Sequence, residues 1–231
     1  MNRKTILMSP ADSNLFKYFE RRFNTISSEN LKDYITFERY HADMQVLNIK
    51  GKVFVNSACD NIVQKFNSLN IDYELCENIG CNYPQNIALN AALVGNKLMC
   101  KAKHLHENVE KFCVSSGIEI IDVNQGYTKC STLVLGENKI ITDDESIAKA
   151  ALINNITVLK IKKGDIRLDD KNVGFIGGAS AKIGDTVYFF GDIKTHHNAD
   201  EIIDFILDAG LQIINVSQSI LTDIGGIVLI D

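Results

Sequence analysis

The stretch that decides the fold is "TDIGGIVLID", residues 222–231. Ile227, Val228, Leu229 and Ile230 are apolar and mostly β-branched, the composition of a buried strand. A strand left with an unpaired edge would template aggregation, and no segment follows this one to cover it. Its partner is predicted to be the apolar run in "RKTILMSP", near Thr5 to Met8.

Working outward, four phrases repeat one pattern of apolar run, Gly-containing turn and second apolar run. They are "VLNIKGKVFVN", "ALVGNKLMCK", "LVLGENKIIT" and "SAKIGDTVYFF", with turns at Gly51, Gly95, Gly136 and Gly184. Tight Gly/Asn/Asp turns between apolar runs are hairpin signals. Each hairpin precedes a stretch with helical spacing: "ACDNIVQKFNSLNI", "HENVEKFCVSSG", "DDESIAKAALINN" and "NADEIIDFILDAG". In the last, Asn198 and Glu201 have the spacing of a capping box. A further apolar segment closes each unit. Strand, turn, strand, helix, strand, recurring about every 40–50 residues, predicts a propeller or stack. The opening residues supply a second strand and a helix, "ADSNLFKYFERRF", and the closing ones a first strand. Four whole units and one divided between the two ends make five. A doubly wound sheet also alternates strands and helices, but its parallel crossovers need no hairpin in every unit.

Composition narrows the function classes. The chain has 231 residues, 45% apolar and 23% charged, with a net charge of −5. It is long enough to bury a core without covalent staples, and it reads as a single domain over residues 1–231. A mildly acidic protein lacks the basic footprint of a non-specific nucleic-acid binder. No run approaches the length of a membrane span, and the first apolar run is too short for a signal-peptide core. Both features point to a cytoplasmic protein that binds neither nucleic acid nor membrane. Cys59, Cys76, Cys81, Cys100, Cys113 and Cys130 contain no C-x-x-C pair and are expected to be free thiols.

Five β-β-α-β units about a pseudo-fivefold axis, with "HADM" at His41–Met44 and the Gly-Gly pairs, resemble the pentein fold. That is a five-bladed β/α propeller whose enzymes form the guanidine-modifying superfamily of deiminases, amidinotransferases and dimethylarginine dimethylaminohydrolases. The resemblance implies a closed ring and a site built from one segment per unit: "YHADMQV", "NYPQNIAL", "GYTKCSTL", "GFIGGASA" and "TDIGGIV". Polar side chains in buried strand entries are less costly around a shared polar cavity.

These segments bring His41, Asp43, Asn82, Asn86, Lys129, Cys130, Ser180 and Asp223 toward one another. His41 and Asp43 are two apart, so on a strand they share a face, and a carboxylate beside an imidazole raises its basicity. In the family's H-x-D motif, His is the acid/base and Asp clamps the guanidinium. The plain alternative is a satisfied histidine at a strand start. The family reaction uses a thiolate. Cys130 is the cysteine on such a segment, with Cys81 second, and a buried structural thiol is the alternative reading. Asp223 is expected to hold a cation, with Asn86 and the Gly177-Gly178 pair beside the substrate. The glycines read equally as a tight turn or bulge. The pattern departs from the family in the last unit, where the enzymes carry their cysteine and this chain has none. No separate carboxylate is evident beside the histidine. His196-His197, and His104 and His106, read as solvated loop residues, with no further ligand at metal spacing.

The sequence thus points to a hydrolase or transferase acting on a C–N bond of a small guanidino or other cationic compound, without metal or organic cofactor. The alternative is a catalytically inactive pentein that binds a small molecule or serves as a protein-interaction scaffold.

Overall fold

The computed structural model describes residues 3–230. Its strands form five three-stranded sheets and one two-stranded sheet. Each larger sheet has an antiparallel hairpin and a third strand added in parallel after a helix. In the second module, Val46–Ile49 pairs with Lys52–Asn56, and Glu74–Cys76 joins after helix α2, Asp60–Leu69. The third repeats this with Ala92–Val94, Lys97–Cys100, α3 (Glu107–Ser115) and Glu119–Asp122. The fourth uses Thr132–Gly136, Lys139–Thr142, α4 (Glu145–Ile153) and Thr157–Lys160. The fifth uses Ser180–Ile183, Thr186–Phe189, α5 (Ala199–Leu207) and Gln212–Asn215. In the first, Ile227–Leu229 lies antiparallel beside Thr5–Met8, with Ile6 opposite Leu229 and Met8 opposite Ile227. Helix α1, Ser13–Glu20, then leads to Asn24–Ser27.

Local chemistry fixes the helix starts. Asp12 caps α1 by accepting the amides of Asn14 and Leu15 at 2.9 and 3.0 Å. Asp144 caps α4 through Ser146 and Ile147 at 2.8 and 3.0 Å. Asp144→Ala is expected to cost about 1 kcal/mol, the usual worth of a good N-cap, measured by urea denaturation. The expected box at α5 takes a different form. Asn198 makes no capping bond to the helix backbone; its amide group donates to Glu201 and its oxygen accepts from the Lys162 amide.

The core consists of apolar clusters that each bridge two modules. Ile62 and Phe66 of α2 pack with Leu7 and Val228 of the first module. Val109 and Cys113 of α3 meet Leu47 and Phe54 of the second. Ile147 and Ala151 of α4 meet Val94 and Met99 of the third. Ile202 and Ile206 of α5 meet Leu133 and Ile141 of the fourth. Leu15 and Phe19 of α1 meet Ala181 and Tyr188 of the fifth. Each fully buried Phe or Ile in these seams contributes about 1.5–3 kcal/mol by leaving water. The half-exposed positions of the five leading strands, Asn48, Leu93, Val134, Lys182 and Leu229, all line one cavity of about 390 Å³.

The two-stranded sheet has no counterpart in the repeat pattern of the sequence. Ile166–Arg167 pairs in parallel with Leu221–Thr222, and Arg167 bridges to Val173. This ties the connection between the fourth and fifth modules to the segment that leads into Ile227–Leu229. Among the described residues no helix is long and apolar enough to cross a membrane.

Candidate active site

The segments that precede the leading strands converge, but as turns. His41 precedes a 3-10 turn at Ala42–Met44. The expectation that His41 and Asp43 share a strand face is therefore corrected: the turn, not strand alternation, sets their directions. Asn86 lies in a second 3-10 turn, Gln85–Ile87. Cys130 lies in a turn closed by the Ser131 amide on the Tyr127 carbonyl at 2.9 Å.

At the centre, donor atoms of His41, Asp43 and Cys130 lie within 4.8 Å of one another. The Cys130 thiol donates to Asp43 Oδ2 at 2.8 Å. Asn90, which sequence reasoning missed, holds the Cys130 turn: its oxygen accepts the Lys129 amide at 2.8 Å and its amide group reaches Cys130 Sγ at 3.4 Å. The other Asp43 oxygen is buried and has no protein partner.

Above this trio lies a second cavity of about 390 Å³, lined in part by Glu38, His41, Cys130 and Asp223. Glu38 is the carboxylate beside the histidine that the sequence did not reveal. It is 5% exposed, accepts Asn86 Nδ2 at 2.9 Å and shares a hydrogen bond with the Tyr127 hydroxyl. Asn86 therefore positions Glu38 and does not reach the cavity. Asp223 is fixed by two backbone donors, the Phe175 amide on Oδ2 and the Gly225 amide on Oδ1, both at 2.9 Å.

The glycine pairs act by packing. A side chain at Gly177 would strike the carbonyls of Lys129, Cys130 and Thr132, one at Gly178 the Asp223 carboxylate, and one at Gly225 the His41 Cα at 2.5 Å. Gly177 and Gly178 thus seat the Cys130 turn and Asp223, and neither lines the cavity above the trio. Ser180 donates to the Ile176 carbonyl at 2.6 Å, a local structural bond. Cys81 is half-buried, packs on the apolar cluster around α2 and lines neither of the two cavities. Lys129 lines the cavity between the leading strands, on the other side of Asp43 from the one that Cys130 lines.

Two acids, Glu38 and Asp223, line this cavity with the His41 imidazole, and a third, Asp43, lies beneath them. Burial pushes the Asp43 carboxyl up to about 6, with Asp223 adding to the rise and His41, Lys129 and the thiol bond opposing it. Burial likewise raises Glu38, against its bonds from Tyr127 and Asn86 and the charge of His41. Cys130 rises well above the ordinary thiol range, through burial first and then the charges of Asp43 and Asp223. In this field the thiol is protonated. A floor this rich in carboxylates favours a cation, and a bound cation reverses the field that holds the proton on sulfur.

The histidine pair at 196–197 does gain a neighbour. Asp165 bonds to the His197 ring, and the donors of all three cluster closely. The expectation of no further ligand is corrected. However, His196 Nδ1 accepts the Asn198 amide at 3.0 Å. That assigns the ring proton to Nε2 and leaves no lone pair for a metal.

The architecture is the pentein fold. The chain itself belongs to a family of unknown function, DUF6873, which matches residues 9–228. Among solved structures, dimethylarginine dimethylaminohydrolase from Pseudomonas aeruginosa, a variant complexed with citrulline, is 9% identical. It is covered over 93% of its length by 94% of this chain, with a TM-score of 0.57. The C. jejuni agmatine deiminase is 12% identical, over 94% of this chain and 88% of its own, at a TM-score of 0.53. A cyanobacterial arginine dihydrolase is 10% identical, over 99% of this chain and 39% of its own, at a TM-score of 0.58. At such identities the likeness is one of fold. No curated protein sequence matches the chain.

Proposed function

We propose that the protein is a hydrolase or transferase of the guanidine-modifying type that cleaves a C–N bond of a small guanidino compound. The observation that carries the reading is the buried Cys130–Asp43–His41 trio beneath a cavity floored by Glu38 and Asp223. The five modules are read as blades around one axis, forming a single domain that acts in the cytoplasm. The helix clusters that link each module to the next, and the fifth to the first, support the ring. So does the common cavity lined by the five leading strands. Because every blade meets the axis, a nucleophile from the fourth module can meet a histidine from the second.

In this mechanism the guanidinium settles on Asp43, Asp223 and Glu38, and its charge lowers the thiol pKa. The Cys130 proton passes to His41, and the thiolate forms an S–C bond to the guanidinium carbon. His41 returns the proton to the departing nitrogen as the C–N bond breaks. Water or an acceptor amine, deprotonated by His41, then displaces the sulfur. Burial of the thiol, with Cys130 only 2% exposed, favours a second reading in which the same floor binds a cation without turnover.

Alkylation kinetics separate the two. Chloroacetamidine, a cation with a leaving group, is expected to label Cys130 at least about tenfold faster than neutral iodoacetamide does, since it supplies its own activating charge. Cys130→Ser removes that label. Iodoacetamide should find half-buried Cys81 first. Slow labelling of Cys130 by both reagents would leave only the binder.

A further inference from the structure

Resting on the guanidine reading above, we propose that the tail of the substrate ends in a carboxylate, so that the site takes ω-guanidino acids in preference to ω-guanidino amines. The cavity is graded from floor to mouth. Its only acids among the described residues, Glu38 and Asp223, are at the buried floor. Half-buried Phe37, Tyr127, Leu168 and Phe175 form an apolar sleeve above them. Lys163 and Lys171 are exposed and line the same cavity. The two-stranded sheet sets this rim, since it anchors the connection that carries Leu168, Lys171 and Phe175. The Lys163 ammonium lies 5.4 Å from the centre of the Phe175 ring, which places its charge on top of the sleeve.

Each rim lysine is in the field of one acid, Lys171 in that of Asp169 and Lys163 in that of Asp143, and neither acid lines this cavity. Asp169 is occupied by the amides of Lys171 and Asn172 at 2.8 and 2.7 Å and by the Asn172 side chain. It lines the neighbouring cavity, with Asp170. A molecule with a cation at one end, methylenes between and an anion at the other meets a complementary group at each level. One with a second cation puts like charge against two ammonium groups. Exposed pairs are individually weak. The two lysines, attracting an acid and repelling an amine, therefore give about a tenfold preference at low salt.

The test uses γ-guanidinobutyrate, butylguanidine and agmatine, which share the guanidinium and differ in the tail. Affinity is measured by calorimetry on the full chain and by protection of Cys130 from chloroacetamidine. The expected order is acid, then neutral, then amine, with about tenfold between the extremes. The double variant Lys163→Met/Lys171→Met should collapse that spread, and raised salt should narrow it. Equal binding of all three, or tightest binding of agmatine, overturns the tail assignment and leaves the guanidine reading standing. Failure of all three, butylguanidine included, overturns both.

Discussion

Asparagine in place of Asp43 is expected to leave the protein more stable than wild type at about pH 8 and less stable at about pH 4. Burial raises this carboxyl from 3.8 to about 6, so the native state holds the proton more tightly than the unfolded chain does. Native stability is then greatest where Asp43 is protonated in both states. It falls as pH rises from the unfolded value through the native one, because the unfolded chain gives up its proton first. For a fully buried carboxyl raised this far, the full penalty above the native pKa is about 3 kcal/mol. Asparagine escapes it and can still accept the Cys130 thiol. Its amide, however, occupies the place of an oxygen that already has no protein partner, at about 1–3 kcal/mol. The net gain is therefore about 0–2 kcal/mol in alkali, against a loss of about 1–3 kcal/mol in acid. Urea denaturation at the two pH values measures both. An identical difference at each would show that the native fold does not raise the Asp43 pKa above its unfolded value. The same variant should lose chloroacetamidine labelling of Cys130, so that a carboxylate needed by the chemistry lowers the stability of the fold.

The second large effect is expected at Gly225. Its φ is +78° and a methyl group there would sit 2.5 Å from His41 Cα. Gly225→Ala thus combines left-handed strain of about 1–2 kcal/mol with overpacking of about 1–3 kcal/mol against backbone that cannot rotate away. A loss of about 2–5 kcal/mol and a displaced His41 should follow. Two other glycines separate the causes. Gly117 has φ +66° with nothing within 4 Å, so Gly117→Ala reports strain alone. Gly136 has neither the strain nor a neighbour within 4 Å, and Gly136→Ala should be neutral or slightly stabilising. If Gly225→Ala costs no more than Gly117→Ala, the close approach to His41 is not what selects glycine there.

The modules were legible because two simple periods mark them. Apolar alternation around Gly51, Gly95 and Gly184 locates the hairpins, and the spacing of Ile62 with Phe66, or Ile202 with Ile206, locates the helices. The convergence of His41, Asp43, Cys130 and Asp223 followed from aligning the repeats. What escaped lies where no period operates. Glu38 precedes His41 by three residues in an irregular stretch, and Asn90 and Tyr127 sit in turns, so nothing in their spacing marks them. One signal was available for Asn90: it occupies the entry to the third leading strand, where a buried amide needs several partners. The lysine rim depends on the small parallel sheet at Ile166–Arg167, two residues long, below what patterning detects. Strand reasoning also assigned the wrong local geometry to His41 and Asp43, since a 3-10 turn and a strand entry have similar composition.

The ladder between Ile6 and Leu229 has a kinetic consequence. Residues near opposite extremes of the sequence must find each other, and the entropy of joining distant points along a chain grows with the length between them. The neighbouring sheets, built from contacts within each module, need no such search. Refolding should therefore show an early gain of local structure and a slower final gain of protection at the amides of Leu7 and Val228, a separation of phases that pulsed hydrogen exchange resolves.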